Sequence, residues 1–247
     1  CVGNTMVVCG VNSVREALRA GRIDLVRASE QGSSRVRELA REAEAEGVTV
    51  HWVSAAELNR ESSGAVHQGI VARVCPSVKY SVADLVREAS TPPIFLVLDG
   101  IEDPQNLGAM LRTAEASGVD GVVRQQRRAA PLGAAVAKTS AGALAHVKIA
   151  SVVNITRALD ELRASGVWTV GLVQGASCKY DEVDFSLPSA LVLSSEGRGL
   201  RRLVRERCDW LVSIPMNGQI DSLNVSVAAG IALYEAVRQR RSKRSKE

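Results

Sequence analysis

The pattern of hydrophobic and polar positions changes character near Pro92-Pro93. Before that point, short apolar runs alternate with amphipathic stretches. Met6-Val-Val-Cys9, Leu25-Val-Arg-Ala28, Val48-Thr-Val-His-Trp-Val53 and Gly69-Ile-Val-Ala-Arg-Val74 predict strands. Val14–Leu18 and Ser34–Gly47 predict helices, the second amphipathic and stopped by Gly47. This alternation predicts a small α/β unit over residues 1–75. Residues 76–93 read as a linker with a short helix, Val82–Ala89, closed by the tandem prolines. From Ile94 the runs become continuously apolar, as in strands buried on both faces: Ile94–Asp99, Gly121–Val123, Val147–Ile149, Val167–Val173, Ala190–Leu193 and Trp210–Ile214. Leu107–Ser117, Ala134–Ala145, Ile155–Ser165 and Leu200–Glu206 predict helices between them. Residues 94–247 therefore predict an α/β domain with a parallel sheet and crossover helices.

The last helical stretch, from Leu223 or Asn224 to Arg238, is apolar almost all round. Leu223, Val227, Ile231 and Tyr234 line one face, and Val225, Ala228, Ala229, Ala232, Leu233 and Ala236 fill much of the other. A helix without a wet face is buried in a core or against a second subunit. Ser222 is expected to cap its start.

Parallel sheets bind ligands beyond the carboxyl ends of their strands. Three polar, Gly-bearing loops leave the predicted strands there: Gly100–Arg112, with Asn106 expected as a helix cap; Ser194–Gly199; and Asn217–Ser222. Together they predict a cleft. Gly197 and Gly199 allow close backbone approach to a ligand, but the spacing G-x-G-x-x-R is a weak dinucleotide signal. No phosphate loop of the G-x-x-x-x-G-K-[ST] type and no G-x-S-x-G elbow occurs, so nucleotide hydrolysis and acyl transfer lack support. What remains is an arginine (Arg112), a carboxylate (Glu196), amides (Asn106, Asn224) and hydroxyls (Ser195, Ser222). Arg binds phosphate in a planar fork. Taken alone, Arg112 reads equally as a surface arginine and Glu196 as a solvated loop acid, and His67 reads as a structural or surface histidine rather than a substrate contact.

Composition narrows the class. With 46% hydrophobic and 23% charged residues the chain is that of a globular protein, and no apolar run approaches a membrane span. The opening lacks the layout of a secretory signal, and Met6 is a candidate start. Five scattered cysteines without C-x-x-C spacing point to reduced thiols in the cytoplasm, and three distant histidines give no metal-ligand pattern. Net charge is +4, but Arg238–Glu247 holds six Lys/Arg against one Glu, so everything before it sums to −1. Any polyanion must therefore be met by local patches such as Arg124–Arg128 and Arg198–Arg207. Eight aromatic residues are too few for a broad base-stacking platform.

Three motifs carry a resemblance. Asp103-Pro-Gln-Asn106-Leu-Gly108-Ala-Met-Leu-Arg112, Ser195-Glu196-Gly197-Arg-Gly199-Leu200, and Ile214-Pro215-Met216 followed by Ser222-Leu223-Asn224-Val225-Ser226 resemble, in order and spacing, the SpoU (TrmH-type) ribose 2′-O-methyltransferases. With the N-terminal unit the likeness spans nearly the whole chain and points to the RlmB-like branch, which modifies a guanosine in large-subunit (23S) ribosomal RNA. The resemblance implies a SPOUT domain with a deep trefoil knot, a topology that general rules disfavour. It implies an S-adenosyl-L-methionine cofactor, a homodimer with sites at the subunit interface, and an N-terminal RNA-binding domain resembling a ribosomal protein. Carried over by motif, Asn106, Arg112, Glu196, Ser222 and Asn224 form the catalytic set, and the backbone around Ser194, Gly197, Ile214 and Leu223 cradles the cofactor. Ser194 stands where a glycine is common, Arg124–Arg128 lacks the usual Pro-Lys pair, and Gly133 and Ala145 replace an asparagine and an acid. Transfer RNA, another ribosomal site, or non-catalytic RNA binding are the alternatives.

Overall fold

A computed structural model describes residues 6–19, 23–74, 80–132, 134–195, 197 and 199–244. The chain divides into two compact units, Cys1–Val78 with Pro131–His146, and Lys79–Ala130 with Val147–Glu247.

The first unit runs β1 (Met6–Cys9), α1 (Val11–Arg19), β2 (Ile23–Ser29), α2 (Ser34–Ala45), β3 (Thr49–Val53), α3 (Ala55–Glu61) and β4 (Ile70–Val74). Its sheet has the order β1-β4-β2-β3, with β2 parallel to β3 and β4 antiparallel to both neighbours. Central β4 is apolar because Ile70, Val71, Ala72 and Val74 are all buried. The helices cover it with Val14, Leu18, Val36, Leu39 and Ala43, the three-to-four spacing of one helical face. Periodicity does not reveal α3; its start is fixed instead by a capping box in which Ser54 and Glu57 serve each other's backbone amides.

The loop before β4 is locked by its own side chains. His67 Nδ1 accepts the Gly69 N–H at 3.0 Å, which leaves the proton on Nε2 for Asn59 Oδ1 at 3.1 Å. Gln68 Oε1 takes the Val11 amide at 3.2 Å. His67 is thus a structural residue of the turn.

Residues 134–145 form a broken helix rather than one continuous one. After α6 (Ala134–Thr139), Ala141 and Gly142 adopt φ of 50° and 94°, and a 3-10 turn follows at Ala143–Ala145. A Cβ on Gly142 would lie 2.8 Å from Cβ of Glu16, so only glycine fits there. α6 packs against β1.

The second unit contains α4 (Val82–Arg87), β5 (Ile94–Asp99), α5 (Pro104–Ala116), β6 (Gly121–Gln125), β7 (Ile149–Val152), α7 (Ile155–Ala164), β8 (Trp168–Leu172), β9 (Cys178–Lys179), β10 (Ser189–Ser194), α8 (Arg202–Arg205), β11 (Trp210–Ser213) and α9 (Val225–Arg244). The sheet order is β7-β6-β5-β10-β8-β11-β9 and every pairing is parallel, as the continuous apolar runs predict. All six residues of β5 are buried. Phe95 and Val97 join the cluster under α4, α7 and α8, while α5 packs against α9, which also lies on β10. Val82 and Leu85 of α4 belong to that cluster, so residues 80–93, read as a linker, contribute to the core of this unit.

Two helix starts differ from expectation. α5 begins at Pro104, and the Asp103 carboxylate, not Asn106, caps it by accepting the amides of Gln105 and Asn106. Proline suits that first position because its missing N–H has no partner to lose. α9 begins at Val225; Asn224 Oδ1, not Ser222, accepts the Ser226 amide at 2.9 Å. No helix among the described residues is long and apolar enough to cross a membrane.

Candidate functional site

Because every strand of the second sheet runs the same way, the carboxyl ends of β5, β6, β10 and β11 share one edge. The three predicted loops follow β5, β10 and β11 and so leave from that edge. With Asp103 taking over the cap, the Asn106 side chain in the first turn of α5 is free for another partner. It finds one 118 positions away: Asn224 Nδ2 donates to Asn106 Oδ1 at 2.9 Å. The other end of the Asn224 amide accepts both the amide and the hydroxyl of Ser226. Packing of α5 on α9 thus brings the two amides together, each held by its own helix start.

The remaining expected residues are distributed around this pair. Arg112 lies on α5, is exposed, and has no hydrogen bond or ion pair among the described residues. Its position six residues after Asn106 corresponds to ~9 Å along the helix. Ser222 is exposed in the loop before α9. Glu196 lies outside the described residues. Ser194 ends β10 half-buried, and Gly197 is exposed with φ of 78°. Ile214, just past β11, and Leu223 are half-buried.

Among the described residues, no backbone hydrogen bond engages 195, 197 or 199, nor 214–220. Nothing lies within 4 Å of a Cβ position on Gly197 or Gly199. Half-buried apolar Ile214 and Leu223, and backbone groups without a hydrogen bond among the described residues, are the chemical types that an adenine ring and its polar edge require. The donor set of these residues suits S-adenosylmethionine. No group of three or more His, Cys, Asp and Glu is gathered to hold a metal among the described residues.

Sequence reasoning missed a buried polar cluster under the same edge. Asp99, the last residue of β5, is 3% exposed and receives a two-pronged contact from Arg201. Gln125, the last residue of β6, also accepts from Arg201 at 3.2 Å. Neighbouring Arg124 is buried too, donates to the Ala130 carbonyl at 2.6 Å, and has its pKa lowered by desolvation. The only signal was a charged residue closing a strand that is otherwise wholly apolar.

The basic stretches are less available than their composition suggests. Arg201 is paired with Asp99, Arg202 with Glu206 and Arg207 with Asp160. Arg127, Arg128 and Arg205 are exposed and have no ion pair among the described residues. Free cations therefore sit on the loop after β6 more than on α8.

Comparison with known proteins follows the division of the chain. The model of the SpoU rRNA Methylase family matches residues 93–234. A model described as RNA 2′-O ribose methyltransferase substrate binding matches residues 7–79. The 23S rRNA (guanosine-2′-O-)-methyltransferase RlmB of Shewanella oneidensis is 40% identical over 242 residues, 96% of this chain and 98% of its own length. RlmB of Photorhabdus laumondii is 45% identical over 199 residues, covering 79% of this chain and 81% of its own. Among solved structures, the SpoU methyltransferase AviRb from Streptomyces viridochromogenes in complex with the cofactor AdoMet superposes with a TM-score of 0.80 at 28% identity, covering 96% of this chain and 91% of the other.

Proposed function

Since the chain belongs to the SpoU family of RNA ribose methyltransferases, we propose that it transfers a methyl group from S-adenosylmethionine to the ribose 2′-oxygen of a guanosine in 23S ribosomal RNA. The observation that carries this reading is the Asn224–Asn106 contact at the edge where residues 195, 197, 199 and 214–220 lie without a backbone hydrogen bond among the described residues. The substrate class is supported by relatives that align across both units and act on large-subunit RNA.

When bound, S-adenosylmethionine supplies a methyl already activated by a sulfonium charge, so the protein's task is alignment and proton removal. The backbone at Ser194, Gly197, Ile214 and Leu223 would hold the donor. The paired amides of Asn106 and Asn224 present a fixed donor–acceptor surface to the ribose, with the Ser222 hydroxyl beside them. Arg112, exposed and uncommitted, holds the phosphate next to the target ribose and polarises its hydroxyl. A guanidinium does not give up its proton, so Arg112 is not the base. The 2′-hydroxyl proton leaves through phosphate, water or Glu196.

In this reading the protein is a cytoplasmic homodimer with a trefoil knot in its second unit, and residues 1–75 contact RNA. The apolar face of α9 supports the dimer: Val227 and Tyr234 are 50% and 51% exposed, and Ile231 between them is half-buried.

Methylation of 23S rRNA fragments and of tRNA, assayed side by side with mass mapping of the product, tests the substrate. Label in a 23S guanosine ribose is expected; label confined to tRNA overturns the rRNA assignment, and none in either overturns the activity. Arg112→Lys keeps the charge and loses the fork. A loss of about 10-fold or more in kcat/KM for RNA is expected, in the range of a positioned contact; wild-type turnover would remove Arg112 from the mechanism.

A further inference from the structure

The loop that carries Gly197 and Gly199 is tied at both ends to one residue. Asp99 stands in register with Ser194 across the β5–β10 pairing, which fixes where the loop leaves the sheet. The Asp99 carboxylate then receives Arg201 Nε at 3.0 Å on one oxygen and Nη2 at 2.5 Å on the other, which fixes where the loop enters α8. The same Nη2 donates to Gln125 Oε1 at 3.2 Å, adding the end of β6 to the clamp. Leu200, immediately before Arg201, is buried in the core. It sits where a Cβ on Gly171 would come within 2.8 Å of its Cδ1, so a glycine on β8 makes room for it.

This arrangement is more specific than an ordinary ion pair. A guanidinium bound to a carboxylate by two near-parallel bonds fixes angle as well as distance, whereas an ammonium fixes distance alone. The Asp99 side chain is 1% exposed, so Arg201 rather than solvent meets its carboxylate. Among the described residues, no backbone hydrogen bond engages 195, 197 or 199, so the backbone at Gly199 is held through Leu200 and Arg201.

We propose that Arg201, held by Asp99 and Gln125, is a positioning residue that fixes the backbone at Gly199 and Leu200 where it meets the methyl donor. Its action is indirect: it touches neither donor nor RNA and shapes the backbone that does. The proposal rests on the methyltransferase reading above.

Calorimetric titration with S-adenosylmethionine and steady-state methylation of RNA test it on the full chain. The wild type comes first: failure to bind the donor or methylate RNA overturns the methyltransferase reading and this proposal with it. Given an active wild type, Arg201→Lys keeps a cation beside Asp99 and loses the fork. It is expected to raise the donor Kd and KM about 10-fold, with a smaller change in kcat at saturation and an unchanged KM for RNA. Gln125→Ala, which leaves the Asp99 pair intact, is expected to move the donor KM in the same direction by a smaller factor. Arg201→Ala is expected to exceed both. If it does not fold, the Lys and Gln125 variants decide. Wild-type donor affinity in Arg201→Lys and Gln125→Ala, or equal losses for donor and RNA that follow thermal stability, overturns the proposal.

Discussion

At Asn224 one amide group has two tasks. Its oxygen secures the first turn of α9 and its nitrogen reaches Asn106 on α5. Replacing it with alanine removes both, and the two effects are separable. Loss of the cap costs about 1 kcal/mol of stability, while loss of an oriented polar group at a reacting centre costs about 10²-fold in kcat. Asn224→Ala is therefore expected to fold with a slightly lower Tm and to methylate RNA about 100-fold more slowly; a variant as active as the wild type would place this contact outside the chemistry. Cys208 shows the opposite case of a reactive group made inert. Burial first, then the charge of Asp209, pushes its thiol up to about 12, so iodoacetamide at pH 8 is expected to leave it unmodified until the protein unfolds. Mass spectrometry of native and denatured samples checks this. The sequence announced Asn106 and Asn224 individually, through their motifs, but not that they touch. The pairing of Asp99 with Arg201, which read as part of a basic patch, went unnoticed because a separation of 102 positions carries no local periodicity.

The elements follow their local chemistry where that chemistry is short-range. Six strands of the parallel sheet were legible because burial on both faces forces unbroken apolar runs, whereas two-residue β9 has no such run. α4 was legible as a helix but not as part of the core, since Val82 and Leu85 reveal their burial only when α7 is packed against them. Leu85→Ala is expected to cost about 2–5 kcal/mol, measured by denaturant unfolding followed in the second unit. A cost near zero would mean that α4 is only a spacer. The start of α4 also contributes a pH dependence. Hydrogen bonds from the Ser81 hydroxyl and amide, with Arg87 adding to them, lower the Asp84 carboxyl from 3.8 to about 2. A carboxyl lowered on folding stabilises above its unfolded value, and that contribution is lost as pH falls through the folded one. The Tm difference between wild type and Asp84→Asn is thus expected to be full near neutrality and to shrink from pH 3.8 towards 2; a difference independent of pH would assign it to the cap geometry alone.

For the molecule as a whole, α9 was expected to be buried on every side, and the single chain buries only one. Val225, Ala228, Ala229, Ala232, Leu233 and Ala236 are covered, while Val227 and Tyr234 face outward with Ile231 half-covered between them. Periodicity separated these two faces but could not tell which of them the single chain covers, because both are apolar. In the proposed dimer the outer face closes against a second copy, so Val227→Glu with Tyr234→Glu is expected to halve the mass seen by sedimentation towards the 26.3 kDa of one chain. An unchanged mass would move the interface elsewhere. The other feature invisible to pattern reasoning is the return of Pro131–His146 to the first unit, where α6 packs on β1. The peptide consequently passes from one unit to the other three times rather than once. A gene fragment ending at residue 78 would encode a body missing one of its walls, and a single protease nick at that crossing would leave two pieces still interlaced.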